Sequence, residues 1–144
     1  MTSSLEDKEA IRELLSEYCH YVDKGEFEKW ENLWMEDAVL LTPEKVSIDG
    51  KKAIGETIRA AADQILGKVK HMTTNEMIKV SGNNASVEST ILVLSLDDNN
   101  TISIMLAGTY IDKLQKVDDN WKFRERAVEV LANNNDAAIR LQPN

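Results

Sequence analysis

The feature that most constrains this chain is a change of texture at Val69. Before it, apolar residues recur at helical spacing; after it, β-branched and aromatic segments alternate with short polar turns. Ser3 and Ser4 precede an acidic first turn of Glu6, Asp7 and Glu9, which favours helix initiation. Ile11, Leu14, Leu15, Tyr18 and Val22 then form one stripe, and the spacing predicts a helix that stops near Asp23 with Gly25 as a left-handed cap. A second, shorter helix carries Phe27, Trp30, Leu33 and Trp34. AVLLTP reads as a short strand broken at Pro43, and Gly50 introduces a third helix, KKAIGETIRAAADQILG, closed by Gly67. KHMTTNEMIKV, ASVESTILVLSL, TISIMLAGTYIDKL and WKFRERAVEVL read as strands separated by the hairpin sequences SGNN, DDNN and VDDN. Helices first and consecutive strands after predict an α+β domain with its helices packed on one face of an antiparallel sheet.

Size and charge narrow the function. A chain of 144 residues suits a single domain, here 1–144, with a core over about 5–131 and a loose tail over 132–144 in which Ile139 and Leu141 can dock locally. Lys plus Arg number 17 against 25 Asp plus Glu, a net charge of −8, which argues against nucleic acid or an anionic membrane as partner. One cysteine, Cys19, excludes an internal disulfide, and two histidines with one cysteine make a poor zinc set. The first residues, MTSSLEDKEA, lack the pattern of a secretory signal, and no apolar run approaches a membrane span, so a cytoplasmic location is expected. The turns DDNN and VDDN lack EF-hand spacing, and no Gly-rich phosphate loop or GxSxG motif is present.

Few residues remain that can carry chemistry. His71 opens the first long strand, where an inward side chain looks into any space between the layers; imidazole is the readiest proton acceptor near neutrality. A hydrogen-bonded structural histidine fits the same position. His20 lies about 180° from Ile11 on the first helix and is expected to face solvent. Asp23 places a carboxylate in a helix's last turn, against the macrodipole, and reaches a cavity only if the helix end turns inward. Tyr18 lies inside the apolar stripe, so its hydroxyl needs a buried partner or a ligand; Tyr21 at the stripe's edge is the alternative. Trp34, with Trp30 and Phe27, can line an apolar pocket or belong to the core. Asn75, Tyr110, Asp112, Arg124 and Arg126 are polar residues on predicted strands, each facing in or out.

Together the segments AIRELLSEYCHYVDKGEFEKWENLWMEDAVL, IDGKKAI, HMTTNEMIKVSGNNASV and GTYIDKLQKVDDNWKFRERAVEV resemble a SnoaL-like domain of the nuclear transport factor 2-like superfamily. The resemblance runs from about Leu5 to Val130 and is nearest to the branch of scytalone dehydratase and bile acid dehydratase. It implies a cone-shaped curved antiparallel sheet with three N-terminal helices on its concave face, a ligand pocket at the open end, and homodimerisation through the outer sheet face. It also implies cofactor-independent lyase or isomerase chemistry on a small apolar carbonyl compound of steroid or polyketide type. Tyr18, Asp23 and His71 stand at the positions of that branch's catalytic Tyr, Asp and His. Tyr21, Trp34, Asn75 and Arg126 are the substrate-binding candidates, with Arg124 competing for the role of Arg126. The second active-site histidine of scytalone dehydratase has no counterpart here; Ser95, Leu94 or Asp112 stand near its place. A non-catalytic binding domain of the same fold is the alternative.

Overall fold

The protein is described here by a computed structural model over residues 3–133; the tail with Ile139 and Leu141 lies outside the described residues. Its first helix, α1 (Ser4–Lys24), begins on a capping box: the Ser3 hydroxyl accepts from the Glu6 N–H at 3.2 Å, and the Glu6 carboxylate accepts from the Ser3 N–H at 3.0 Å. Gly25, at φ 76°, ends it in a left-handed cap. The stripe predicted from spacing is the buried face, extended by Asp7 and Cys19.

After α2 (Phe27–Glu31), strand β1 (Trp34–Leu41) begins at Trp34, which the spacing had placed in the helix. Pairing with a distant strand decides this: the Leu33 carbonyl accepts from the Phe123 N–H at 2.9 Å, and Trp34 sits in register with Phe123. A short strand β2 (Ser47–Asp49), not anticipated, folds back on β1. The third predicted helix divides at Ala61 into α3 (Lys51–Ala60) and α4 (Ala62–Ile65). The Ala-rich sequence holds no local breaker at that point.

Strands β3 (Val69–Ser81), β4 (Asn84–Leu96), β5 (Ile102–Val117) and β6 (Asn120–Asn133) form antiparallel hairpins over the predicted turns. In the last turn both Asp118 and Asp119 take positive φ, the backbone a two-residue hairpin needs. Among the described residues the sheet has six strands in the order β2-β1-β6-β5-β4-β3. It is mixed rather than wholly antiparallel, because β1 runs parallel to β6. The fold is α+β, with an open, curved sheet whose ladders are interrupted by bulges in β3, between β4 and β5, and twice between β5 and β6. The inner face carries Val87, Ile91, Val93, Tyr110, Leu114 and Phe123 onto α1, all of them buried.

Two devices seat α1 on this sheet. Near its start the buried Asp7 accepts from Trp121 Nε1 at 3.2 Å and meets Lys116 Nζ at 2.6 Å, which ties the helix to the β5–β6 hairpin. Along β3, Arg12 meets Glu76 at 3.0 Å, Cys19 meets Thr73 at 3.3 Å, and Asp23 meets His71 at 2.6 Å.

At the bulge beside Ala107, Gly108 brings β5 so close to β6 that a Cβ there would collide with the Glu129 carbonyl oxygen. Backbone cannot yield as a flexible side chain can. Gly108→Ala is therefore expected to lower unfolding stability by about 1–3 kcal/mol, read from the midpoint of urea denaturation, with the far-UV spectrum unchanged.

Candidate functional site

Between α1 and the inner sheet face lies a cavity of about 80 Å³. Every layer contributes to its wall: Tyr18 and Val22 from α1, Leu40 from β1, Pro43 and Glu44 from the following turn, and Ile58 and Ile65 from α3 and α4. The strands add His71, Ile91, Val93, Met105, Leu106, Tyr110 and Val128. The lining is mostly hydrocarbon with four polar side chains, the pattern of a small-molecule site. Pockets that enclose drug-sized ligands measure about 300–1,000 Å³, so a molecule of steroid size would require the mouth to open.

His71 and Asp23 meet on one side of this wall. Asp23 Oδ2 accepts from the His71 backbone N–H at 2.9 Å, and Asp23 Oδ1 lies 2.6 Å from His71 Nδ1. These two bonds offset the unfavourable position of a carboxylate at the end of α1. The side chains retain 14% and 6% exposure, so little water competes. A carboxylate can only accept, which assigns the ring proton to Nδ1 and leaves the Nε2 lone pair as the basic site. That is the arrangement a general base requires.

Tyr18 is buried, with its ring centroid 5.2 Å from Trp30, 5.5 Å from Phe123 and 5.9 Å from Tyr110. Burial raises its phenol above the ordinary 10, against the pull of the Arg126 guanidinium. Tyr110 is raised well above 10, again chiefly by burial. Both phenols therefore remain protonated around neutral pH, and both side chains line the cavity. The Cys19 thiol is also raised by burial, and it points to Thr73 rather than to the cavity.

Arg126 lies one layer beneath, fully buried, so it does not line the cavity as the resemblance implied. Its Nε and Nη2 donate to Asp112 at 2.7 and 2.8 Å, and its guanidinium carbon sits 3.7 Å from the Tyr110 ring centroid and 4.2 Å from that of Tyr18. Burial opposes its charge, but the Asp112 carboxylate outweighs this and the net shift is upward. Nη1 has no hydrogen-bond partner among the described residues. Arg124, the competing choice, is exposed and donates to Gln115.

Three other candidates stand elsewhere. Tyr21 is half-buried beside Lys29, away from the cavity. Trp34 is 1% exposed and packs among Trp30, Tyr18 and Phe123 as core. Asn75 is exposed because the β3 bulge falls on it: its φ of 56° breaks the alternation that would otherwise have set it on the side of His71. His20 is exposed, as its helical position implies.

Sequence reasoning named neither Glu44 nor Pro43 as a site residue, and it listed Arg126 and Asp112 separately without foreseeing that they pair. Pro43 carried a signal, since a proline that ends a strand marks a turn. The ion pair carried none. A hairpin closed by Val117 and Asn120 sets Asp112 opposite Glu125, and only the bulge between Lys113 and Leu114 moves it opposite Arg126.

Removing one member of this pair leaves a charge stranded. Asp112→Asn is expected to cost about 3–5 kcal/mol, whereas the double change Arg126→Met with Asp112→Leu should recover most of that loss. Thermal denaturation of the three proteins checks the contrast.

Comparison with known proteins agrees with this architecture. A family model described as a SnoaL-like domain matches residues 3–127. No curated protein sequence matches the chain. Among solved structures, the fold is similar to that of a protein from Novosphingobium aromaticivorans provisionally named scytalone dehydratase (TM-score 0.82, 25% identity, covering 94% of this chain and 91% of that one). It is also similar to an NTF2-like protein with a cystatin-like fold from the same organism (TM-score 0.79, 24% identity, 92% and 87% covered). A third similar structure is a protein of unknown function from Mycobacterium tuberculosis (TM-score 0.82, 22% identity, 96% and 82% covered). A six-stranded curved sheet wrapped on its inner face by N-terminal helices around a cavity, with a family match over most of its length, places this chain in the SnoaL-like domain family.

Proposed function

We propose that the protein is a cofactor-independent lyase or isomerase acting on a small apolar carbonyl compound. The observation that carries this reading is the 2.6 Å contact between Asp23 and His71, with the imidazole on the wall of an apolar cavity. In the dehydration, His71 Nε2 takes a proton from the carbon α to the carbonyl, and the electrons of that C–H bond form an enolate. Tyr18 donates to the developing enolate oxygen. The β-carbon–oxygen bond then breaks as the enolate collapses to an enone, and the proton held by His71 leaves with the hydroxyl group as water. Asp23 keeps the ring in its Nδ1–H tautomer and balances the charge it carries in between. In an isomerase the same proton would return to another carbon.

Positioned acid–base catalysis supplies about 10²–10⁴-fold and a hydrogen bond to a developing oxyanion about 10²–10³-fold. Those factors suit an already activated proton. The resemblance to the dehydratase branch and the likeness to the structure provisionally named scytalone dehydratase support this class.

The mostly hydrocarbon lining also favours a second reading, a non-catalytic domain that binds a small apolar molecule. A panel of β-hydroxy ketones, followed by the ultraviolet absorption of the enone, separates the two. Turnover by the native protein, lost in His71→Ala and lowered about 10²-fold in kcat by Tyr18→Phe, is the outcome expected of the enzyme. Full activity in folded His71→Ala would remove the mechanism, and binding without turnover across the panel would favour the container.

The partner proposed for the outer sheet face is a second copy of the chain. Met72 and Leu92 are cross-strand neighbours there, as are Leu94 with Ile104 and Leu96 with Ile102, and Met72, Leu96, Ile102 and Ile104 are exposed. Sedimentation equilibrium is expected to give a dimer, and Ile104→Asp a monomer of unchanged secondary structure.

A further inference from the structure

The rim of the cavity carries a side chain that the proposed chemistry does not use. Glu44 follows Pro43 in the turn from β1 to β2, and both line the cavity. The turn is held by its own backbone. Thr42, 2% exposed, donates its N–H to the Val46 carbonyl at 3.0 Å and accepts from the Lys45 N–H at 2.8 Å; its hydroxyl accepts from the Val46 N–H at 3.1 Å. These bonds hold Glu44 at the rim.

The charged side chain at the mouth of the cavity is a carboxylate. Among the described residues no lysine or arginine lines the cavity, and Lys45, next to Glu44 in the turn, is exposed and not part of the lining. The cation beneath, Arg126, is held by both oxygens of Asp112, and behind His71 stands a second carboxylate, Asp23. Protonation of His71 would leave its pair with Asp23 neutral, not positive. An entering carboxylate would shed water, pass Glu44 and meet no cation on the wall that the described residues form. An uncharged molecule passes Glu44 without charge repulsion and meets phenol, imidazole and hydrocarbon inside.

Resting on the reading of this cavity as a ligand site, we propose that Glu44 is a charge filter: the site selects uncharged molecules and rejects carboxylates of the same shape. The substrate class follows as a neutral ketone or hydroxy-ketone rather than a keto acid or hydroxy acid.

The test uses two small probes of one shape, 3-methyl-2-butanone and isobutyrate, titrated near neutral pH into protein with labelled Ile and Val methyl groups. Shifts at Ile91, Val93 and Val128 report occupancy of the cavity. The native protein is expected to bind the ketone about tenfold more tightly than the acid. Glu44→Gln should shrink that ratio by raising affinity for isobutyrate alone, and Glu44→Lys should reverse the preference. Added salt should narrow the ratio in the native protein and leave that of Glu44→Gln unchanged, because a rim charge is open to screening. An unaltered ratio in Glu44→Gln, with the ketone still moving those methyl signals, overturns the filter and leaves the pocket standing. If neither probe moves them in any of the proteins, the pocket reading fails and the filter fails with it.

Discussion

The seating of α1 along β3 determines where everything else in the site falls. Arg12, Cys19 and Asp23 meet Glu76, Thr73 and His71 in turn, so the helix ascends as the strand descends. Anchored also through Asp7 to Trp121 and Lys116, the helix has little freedom to slide or rotate. A rotation by one residue would carry Tyr18 out of the cavity and Asp23 away from the imidazole. At the end of a helix the macrodipole disfavours a carboxylate, and two hydrogen bonds from a single residue of the facing strand offset that cost.

Beneath the cavity the polar floor is built in layers. Tyr18 and Tyr110 present to the open space, and behind them Arg126 stacks on both rings and on Phe123 while Asp112 holds its guanidinium. A buried ion pair of this kind adds little net stability over apolar residues, yet it is costly to break singly. Its clearest local effect is electrostatic. The guanidinium works against the burial that raises the Tyr18 phenol, which keeps that hydroxyl a better donor than an apolar surrounding alone would.

The cavity is small relative to the ligands that the resemblance suggests, and its wall includes one element not packed in the core, the Pro43–Glu44 turn. Helix α1 and the strands are committed to buried contacts, so enlargement is cheapest where that turn meets solvent. The same turn supplies the rim charge. Access and selectivity would then reside in one short segment, and the chemistry in the rigid layers around it.

Helix boundaries at Ser3 and Gly25, the hairpin turns, the buried stripe of α1 and the α+β class were legible because they follow from local rules of capping, turn geometry and periodicity. Family resemblance named Tyr18, Asp23 and His71, and the structure sets the last two in contact, with Tyr18 and His71 on one cavity wall. Local rules failed where strand pairing over a long separation took control. Trp34 entered a strand because β6 captured it, Asn75 left the inner face at a bulge, and Arg126 faced Asp112 only because another bulge moved the register. The sequence of helices followed by long strands, and the buried face of α1, were thus written in the sequence itself, since they depend on neighbours a few residues apart. Which polar side chain meets which, and which looks into the cavity, was decided by the tertiary structure, because a single inserted residue in a strand reverses the side to which all that follow it point.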